Sequence, residues 1–317
     1  MPVTVRSFAK INFGLYIGPL RADGFHDLRT VYQTIALHDL IRVSVGRGTG
    51  IEITCADSRV PCDSSNTCYR MSERVMEELD ATGRVGIEIE KRLPVQGGLG
   101  AGSSNAVATM IGLERALKKK LTQGARLRVA SAVGSDLPLF AVGGTVLGVG
   151  RGEEVYPVAD FSPAPVVVVT PEVGISTPKA FADWDQLTAS GGSDRLLEVG
   201  RALSAWLVSP NTGALARGRS RAGSLLSDLV RTGIENDFER VVFPQYPELR
   251  DIKGALVRAG AVYASLSGSG SALYGLFRTR AAAVKAADRL TKQGLKAVAT
   301  TTLTRFQYWK KSLVAGR

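Results

Sequence analysis

Pro94-Val95-Gln96-Gly97-Gly98-Leu99-Gly100-Ala101-Gly102-Ser103-Ser104-Asn105 holds four glycines and two serines and runs straight into a helical pattern. Val107, Met110, Ile111, Leu113 and Leu117 form an apolar stripe, closed by Lys118-Lys119-Lys120. A run with so little side chain adds almost nothing to a core. Glycine tolerates positive φ and lets a ligand approach the main chain. The helix behind it carries an effective charge of about +0.5 at its N-terminus. Backbone donors and that dipole together make a phosphate site. Ser103 or Ser104 is the expected N-cap. The stretch is not a Walker A loop. Its Gly98-x-Gly100-x-Gly102 spacing, with no acidic residue about 20 positions on after a strand, is not the dinucleotide fingerprint.

Working back towards the N-terminus, Val85, Ile87 and Ile89 alternate and predict a strand to Glu90. Cys68, Met71, Val75 and Leu79 predict a helix over Asn66–Leu79, and Ile51–Thr54 a short strand. Leu28–Val45 reads as strand interrupted near His38-Asp39. Residues 3–17 read as extended chain, with Ala9, Ile11 and Phe13 on one face and Phe8, Lys10 and Asn12 on the other. Lys10 and Asn12 can therefore point into one cleft, although a solvated face is the commoner fate of a strand lysine. Asp23-Gly24 signals a hairpin turn, with an exposed Phe25 and the imidazole of His26 just past it. His26 reads equally as a surface turn residue or as a contact to a planar ligand.

Beyond the loop, Leu127–Val133 reads as a short helix and Gly143–Glu154 as strand, glycine turn, strand. Asp136, between Gly134-Ser135 and Leu137-Pro138, lies among apolar residues. A carboxylate there needs a cation or donors, and it is also a favoured helix N-cap with proline in the first turn. Pro157, Pro163, Pro165 and Pro171 mark a junction between a domain at 1–158 and a domain at 159–317. Val166–Val169 is a buried strand by its unbroken apolar run, and Thr177–Trp184 a short helix carrying Phe181. Gly191–Arg221 reads as a surface segment with a helix at Leu197–Val208 inside it. The last hundred residues read as helix, strand, Ser267-Gly268-Ser269-Gly270-Ser271 turn, strand, helix, strand. That order is an antiparallel sheet with helices on one face, so the fold class is α+β.

The balance of 40 Lys+Arg against 29 Asp+Glu, a net +11, suits an enzyme handling several phosphates. The basic clusters lack interleaved aromatics, so nucleic acid is not an expected partner. Cys55, Cys62 and Cys68 form neither a disulfide framework nor a C-x-x-C site, which fits a reduced, cytoplasmic compartment. No apolar run reaches ~18 residues, so no membrane is expected. Two histidines offer no Ser-His-Asp set, and no His/Cys cluster suggests a protein-held metal.

Pro94-x-x-x-Gly98-Leu99-Gly100-x-Gly102-Ser103-Ser104 resembles the phosphate loop of the GHMP kinases, and Ser267-Gly268-Ser269-Gly270 resembles that superfamily's C-terminal glycine motif. Six further segments are similar to one branch: Ala9–Asn12, Ala22–His26, Lys91–Pro94, Gly134–Pro138, Gly150–Glu153 and Asn236–Glu239. The resemblance runs from residue 6 to about 278. It implies an N-terminal domain like ribosomal protein S5 domain 2, a ferredoxin-like C-terminal domain, and a site between them. That branch uses ATP, with Mg2+ brought on the nucleotide, to phosphorylate the 2-hydroxyl of an erythritol unit on a substrate carrying a cytidine diphosphate group. The product feeds the non-mevalonate route to isoprenoids. The resemblance makes Asp136 the base and Lys10 its partner, with Asn12 holding the substrate. It puts Phe25 and His26 at the cytosine, joined by Phe181 and Thr177, with Gly268 and Ser269 lining the substrate side. Pro94 and Gly97, Gly98, Leu99, Gly100, Ala101, Gly102, Ser103 and Ser104 would wrap the triphosphate, with Asn66 and Lys91 near the nucleotide. A monomer or weak homodimer is expected. Phe25 stands where the branch usually has tyrosine, Ala101 where it has glycine, and Ser135 where it has alanine. None of these removes a needed charge. A mevalonate- or homoserine-type kinase and an RNA-binding S5-like protein are the rival readings.

Overall fold

The structure is a computed structural model that describes residues 2–188 and 234–314. The segment expected at Gly191–Arg221 lies outside the described residues. Among the described residues, ten strands fall into two sheets. In the first, β3 (Ile51–Cys55), β4 (Arg84–Glu90), β2 (His26–Gly46), β5 (Thr145–Val149) and β6 (Glu154–Pro157) run side by side, and β1 (Val3–Leu20) also pairs with β2. Only the β3–β4 pairing is parallel. The second sheet has the order β10 (Ala297–Thr301), β7 (Pro165–Val169), β9 (Leu273–Leu276), β8 (Tyr263–Leu266), antiparallel throughout. That order and the helices between its strands give the ferredoxin-like layer.

β1 and β2 form one long hairpin across Asp23-Gly24, closed by Arg21 N–H donating to the Phe25 carbonyl at 2.7 Å. The expected break near His38-Asp39 is absent, because β2 is continuous. The register with β1 instead shifts between Phe8 and Lys10, so the polar pair marks a bulge opposite the strand that carries the lysine.

Helices α1 (Thr67–Glu78), α2 (Ala101–Leu117), α3 (Gln123–Val133) and α4 (Leu137–Val142) cover the first sheet. Their apolar faces meet the strands in one core, with Met71 and Val75 of α1 and Val107, Met110 and Leu113 of α2 against Ile41, Val43, Ile87 and Ile89. Asn66, expected as the first residue of the helix, caps α1 by accepting from Cys68 N–H. Helix α3 begins four residues before the expected Leu127, because Thr122 caps it.

The valine run of β7 is explained by two cores. Val167 and Val169 face Leu249, Leu256, Ala283 and Leu290, which lie on α7 (Pro247–Arg258) and α8 (Arg280–Lys292). Val166 and Val168 face the other way, onto Ile11, Phe13, Val31 and Ile35 of the β1–β2 hairpin. Burial on both faces removes the usual alternation. The second sheet thereby lies against the strand that carries Lys10 and Asn12. Two described helices went unread in the sequence. Helix α6 (Phe238–Gln245) follows α5 (Thr177–Thr188) among the described elements, and α9 (Arg305–Ser312) lies in the basic tail. Helix α9 docks back on the first sheet, with the Tyr308 hydroxyl donating to the Phe140 carbonyl at 2.7 Å and Trp309 Nε1 to the Val142 carbonyl at 3.0 Å.

Candidate active site

The glycine loop is fastened on both sides by its backbone. Lys10 N–H donates to the Leu99 carbonyl at 3.0 Å, tying the loop to β1. Ala272 N–H donates to the Gly97 carbonyl at 3.1 Å, and the Ser267 hydroxyl to the Gly98 carbonyl at 2.9 Å, tying it to the turn after β8. Gly98 and Gly100 hold φ of 71° and 67°, a region that side chains avoid. Helix α2 starts at Ala101 with Gly100 as its N-cap and no side-chain cap. The expected serine cap is therefore absent. Ser104 is buried inside the first turn, where its hydroxyl donates to the Phe8 carbonyl at 2.6 Å. The first-turn N–H groups are left to a ligand, the arrangement that binds phosphate.

At the loop's inner edge sit Lys10, Asn12 and Asp136. Lys10 is only 3% exposed and donates to Asn12 Oδ1 at 2.7 Å. That oxygen also accepts Gly268 N–H at 2.9 Å, while Asn12 Nδ2 donates to Thr30 Oγ1 at 2.8 Å. Burial pushes the Lys10 ammonium below the ordinary lysine range, and the Asp136 carboxylate pulls it partly back. Asp136 occupies the N-cap position of α4, but its side chain makes no cap bond. Its Oδ1 instead accepts from the Tyr32 hydroxyl at 3.1 Å. A buried ammonium coupled to a half-buried carboxylate thus lies beside the loop, and with the uncapped start of α2 these are groups that phosphoryl transfer to an alcohol requires.

At the far end of the hairpin lie Phe25, His26 and Phe181. Phe25 is exposed as expected, with the Arg151 guanidinium 4.9 Å from its ring centre. His26 is not exposed, because its ring stacks on Phe181 at 5.2 Å and 7°. Its Nδ1 lies 2.9 Å from the Gly18 carbonyl and its Nε2 3.2 Å from Asp185 Oδ1. Thr177, at the start of α5, has its hydroxyl 2.7 Å from that of Ser269, which joins this end to the glycine turn.

A cleft of about 370 Å³ opens on the outer side of the loop, lined by Arg59, Asn66, Lys91, Pro94, Gly98 and Ser103 among others. Arg59 pairs with Asp57 at 2.7 Å, and Asn66 and Lys91 are also engaged within the protein. Asn66 uses its oxygen on Cys68 N–H at 2.8 Å and its nitrogen on the Pro61 carbonyl at 2.6 Å. Lys91 pairs at 2.6 Å with Asp39, which is fully buried and also accepts from Arg92 and Leu93 N–H. Both therefore shape the wall of the cleft. Among the described residues, no group of three or more His, Cys, Asp or Glu could hold a metal ion.

The pattern of the GHMP kinases N terminal domain matches residues 66–144, and that of the GHMP kinases C terminal matches residues 214–296. A 4-diphosphocytidyl-2-C-methyl-D-erythritol kinase of Solibacter usitatus is 36% identical, over 98% of this chain and 92% of its own. The chain belongs to the 4-diphosphocytidyl-2-C-methyl-D-erythritol kinase family of GHMP kinases. The enzyme of that name from Moorella thermoacetica is 35% identical, with 95% and 99% of the two chains covered. A crystal structure of 4-(cytidine 5'-diphospho)-2C-methyl-D-erythritol kinase superposes with a TM-score of 0.70 at 28% identity, covering 94% of this chain and 98% of that one. A homoserine kinase from Cytophaga hutchinsonii gives 0.74 at 18% identity over 96% and 95%, which shows a shared fold.

Four further residues brace the glycine turn, Asn12 and Asp136. Asn236 Nδ2 donates to the carbonyls of Leu266 and Gly268 at 2.9 and 2.8 Å, so it holds the glycine turn against Asn12. Glu239 accepts from Ser265 Oγ and Leu266 N–H at 2.9 and 2.8 Å and pairs with Lys253. The Asn236–Glu239 segment is thus a clamp on the turn. Its signal was the motif itself, standing at the head of an unread helix. Tyr32 and Tyr274 gave no signal, because their partners, Asp136 and the Asn12 carbonyl, are distant in sequence.

Proposed function

We propose that this chain transfers the γ-phosphoryl group of ATP to the 2-hydroxyl of 4-diphosphocytidyl-2-C-methyl-D-erythritol, in the supply of isoprenoid precursors. The observation that carries the reading is the Lys10–Asn12–Asp136 cluster, set between the open N-terminus of α2 and the aromatic group at the hairpin end. Asp136 takes the acceptor proton as the hydroxyl oxygen bonds to the γ-phosphorus. The bond from that phosphorus to the β,γ-bridging oxygen breaks, and ADP leaves with the electron pair. Lys10 polarises the acceptor oxygen and offsets the charge gathering on the phosphoryl oxygens. Asn12 fixes the lysine, and residues 97–104 hold the triphosphate. Mg2+ would arrive on the nucleotide, where Ser103 on the first turn of α2 is the side-chain oxygen within reach of it, and it would supply charge neutralisation at the phosphates. Phe25, His26 and Phe181 take the cytosine, which displaces part of the stack between His26 and Phe181. This reading also assigns residues 1–158 and 159–317 to two domains, and a cytoplasmic monomer or weak homodimer as the working form.

ATP turnover measured against a panel of alcohols tests the reading. The cytidylyl substrate is expected to be consumed; turnover of homoserine or mevalonate in its place overturns it. His26→Ala, which removes one face of the stack, is expected to raise the acceptor KM by about 10-fold or more with kcat nearly unchanged. A kcat loss at constant KM would instead place His26 at the chemistry.

A further inference from the structure

We infer that Tyr32 positions the proposed base, holding Oδ1 of Asp136 so that Oδ2 is the oxygen presented to the acceptor hydroxyl. This inference rests on the reading of Asp136 as the base. Tyr32 stands on β2, is 3% exposed, and donates its hydroxyl to Asp136 Oδ1 at 3.1 Å. Its ring centre lies 5.9 Å from Lys10 Nζ, so one side chain touches both members of the pair. The site is built around that ring. A Cβ on Gly152 would lie 2.6 Å from the Tyr32 hydroxyl, and one on Gly148 would overlap its Cε2. Glycine at both positions leaves the space the phenol occupies.

The chemistry favours a donor here. A carboxylate has two equivalent oxygens and rotates about its terminal bond. One fixed donor removes that freedom and leaves a single oxygen facing the substrate. Burial, and then the neighbouring Asp136 carboxylate, push the Tyr32 phenol well above its ordinary range, so it stays a neutral donor throughout the working pH range. Asp136 is faced by Lys10 from β1 and Tyr32 from β2, and Glu153, in the turn after β5, acts on the phenol.

The test is Tyr32→Phe, which keeps the ring over Lys10 and deletes only the donor. With ATP and the cytidylyl acceptor, kcat is expected to fall roughly 10-fold to 100-fold, the effect of losing a hydrogen bond to a charged group. Both KM values are expected to stay within about twofold, because the tyrosine touches the base and not the ligands. The acid limb of the kcat–pH profile should move to higher pH, since the ionised carboxylate has lost a donor that favoured it. A purely structural tyrosine would lower the Tm and leave the acid limb in place, and that result overturns the inference. If Asp136→Ala is inactive while Tyr32→Phe has the parent kcat and acid limb, the positioning role falls and the base assignment stands. If Asp136→Ala keeps its activity, the base assignment falls. Should Tyr32→Phe not fold, Gly152→Ala crowds the same hydroxyl and must displace the acid limb in the same direction; an unmoved limb again overturns the inference.

Discussion

Asp136→Ala is expected to lower kcat by about 10²- to 10⁴-fold, the range over which a positioned base acts. That is about 3–5 kcal/mol of transition-state stabilisation at 1.36 kcal/mol per decade. ATP affinity should change little, because the glycine loop proposed to hold the triphosphate is fastened to β1 and to the Ser267–Ser271 turn by bonds that do not involve Asp136. The fold should also survive. The side chain makes no cap bond, and the Tyr32 hydroxyl left behind stands beside a half-buried position that water can reach. The pH dependence adds a second readout. Lys10 is held below the ordinary lysine range by burial, with Asp136 raising it again to a smaller extent. Activity that needs the ammonium is present below that pKa and is lost as pH rises through it, so the basic limb of the parent profile falls at lower pH than a free lysine would set. Removing the carboxylate removes the raising influence and moves the limb lower still in whatever activity remains. Rapid-quench turnover and nucleotide titration of one preparation check both points. Near-parent kcat, or a basic limb that moves up, would remove Asp136 from the chemistry.

What the sequence made legible was local. Alternation along β1 placed Lys10 and Asn12 on one face, and the structure joins them directly. The spacing of Cys68, Met71 and Val75, with Asn66 ahead of them, marked α1 to within a residue at each end. Side-chain commitments across the fold were invisible. Lys91 looks available on the page, yet its partner Asp39 is 52 positions away on β2. Ser104 looks like a cap, but the chain reaches the helix through Gly100, and the serine turns to the Phe8 carbonyl 96 positions back. His26 looks like a turn residue at a hairpin end, where burial depends on α5 arriving with Phe181. Helix α9 is different, because its signal was present. Thr304-Arg305-Phe306-Gln307 is a capping box, and both of its reciprocal bonds form. Lys310 and Lys311 stand in its last turn, where cations favour the helix dipole.

Gly98→Ala is expected to damage ATP binding and stability together, and the comparison with Gly102→Ala explains why. Gly98 holds φ of 71°, where an added Cβ costs roughly 1–2 kcal/mol on backbone grounds alone. The Cβ would also overlap the carbonyl oxygen of Ser267 and lie 2.9 Å from that of Gly270. Neither oxygen is on a flexible side chain. The Ser267 amide donates to the Ala272 carbonyl and its carbonyl accepts Gly270 N–H, so the turn must move as a unit. Moving it breaks the seam made by Ala272 N–H on the Gly97 carbonyl and the Ser267 hydroxyl on the Gly98 carbonyl. It also draws Gly268 N–H away from Asn12, the residue that fixes Lys10. One methyl group thus disturbs the glycine loop and Lys10 at once. The expected result is a Tm lower by roughly 4–8 °C, an ATP KM raised by about 10-fold or more, and a reduced kcat. Gly102 lies inside α2, where the nearest atom to an added Cβ is Thr67 Oγ1 at 3.8 Å. Alanine there also improves helix propensity by up to ~1 kcal/mol. Gly102→Ala should therefore keep or raise the Tm, and any effect should be confined to the ATP KM. Differential scanning calorimetry beside steady-state kinetics separates the two. If both variants melt with the parent and bind ATP equally, the contact between loop and turn does not hold the triphosphate site together.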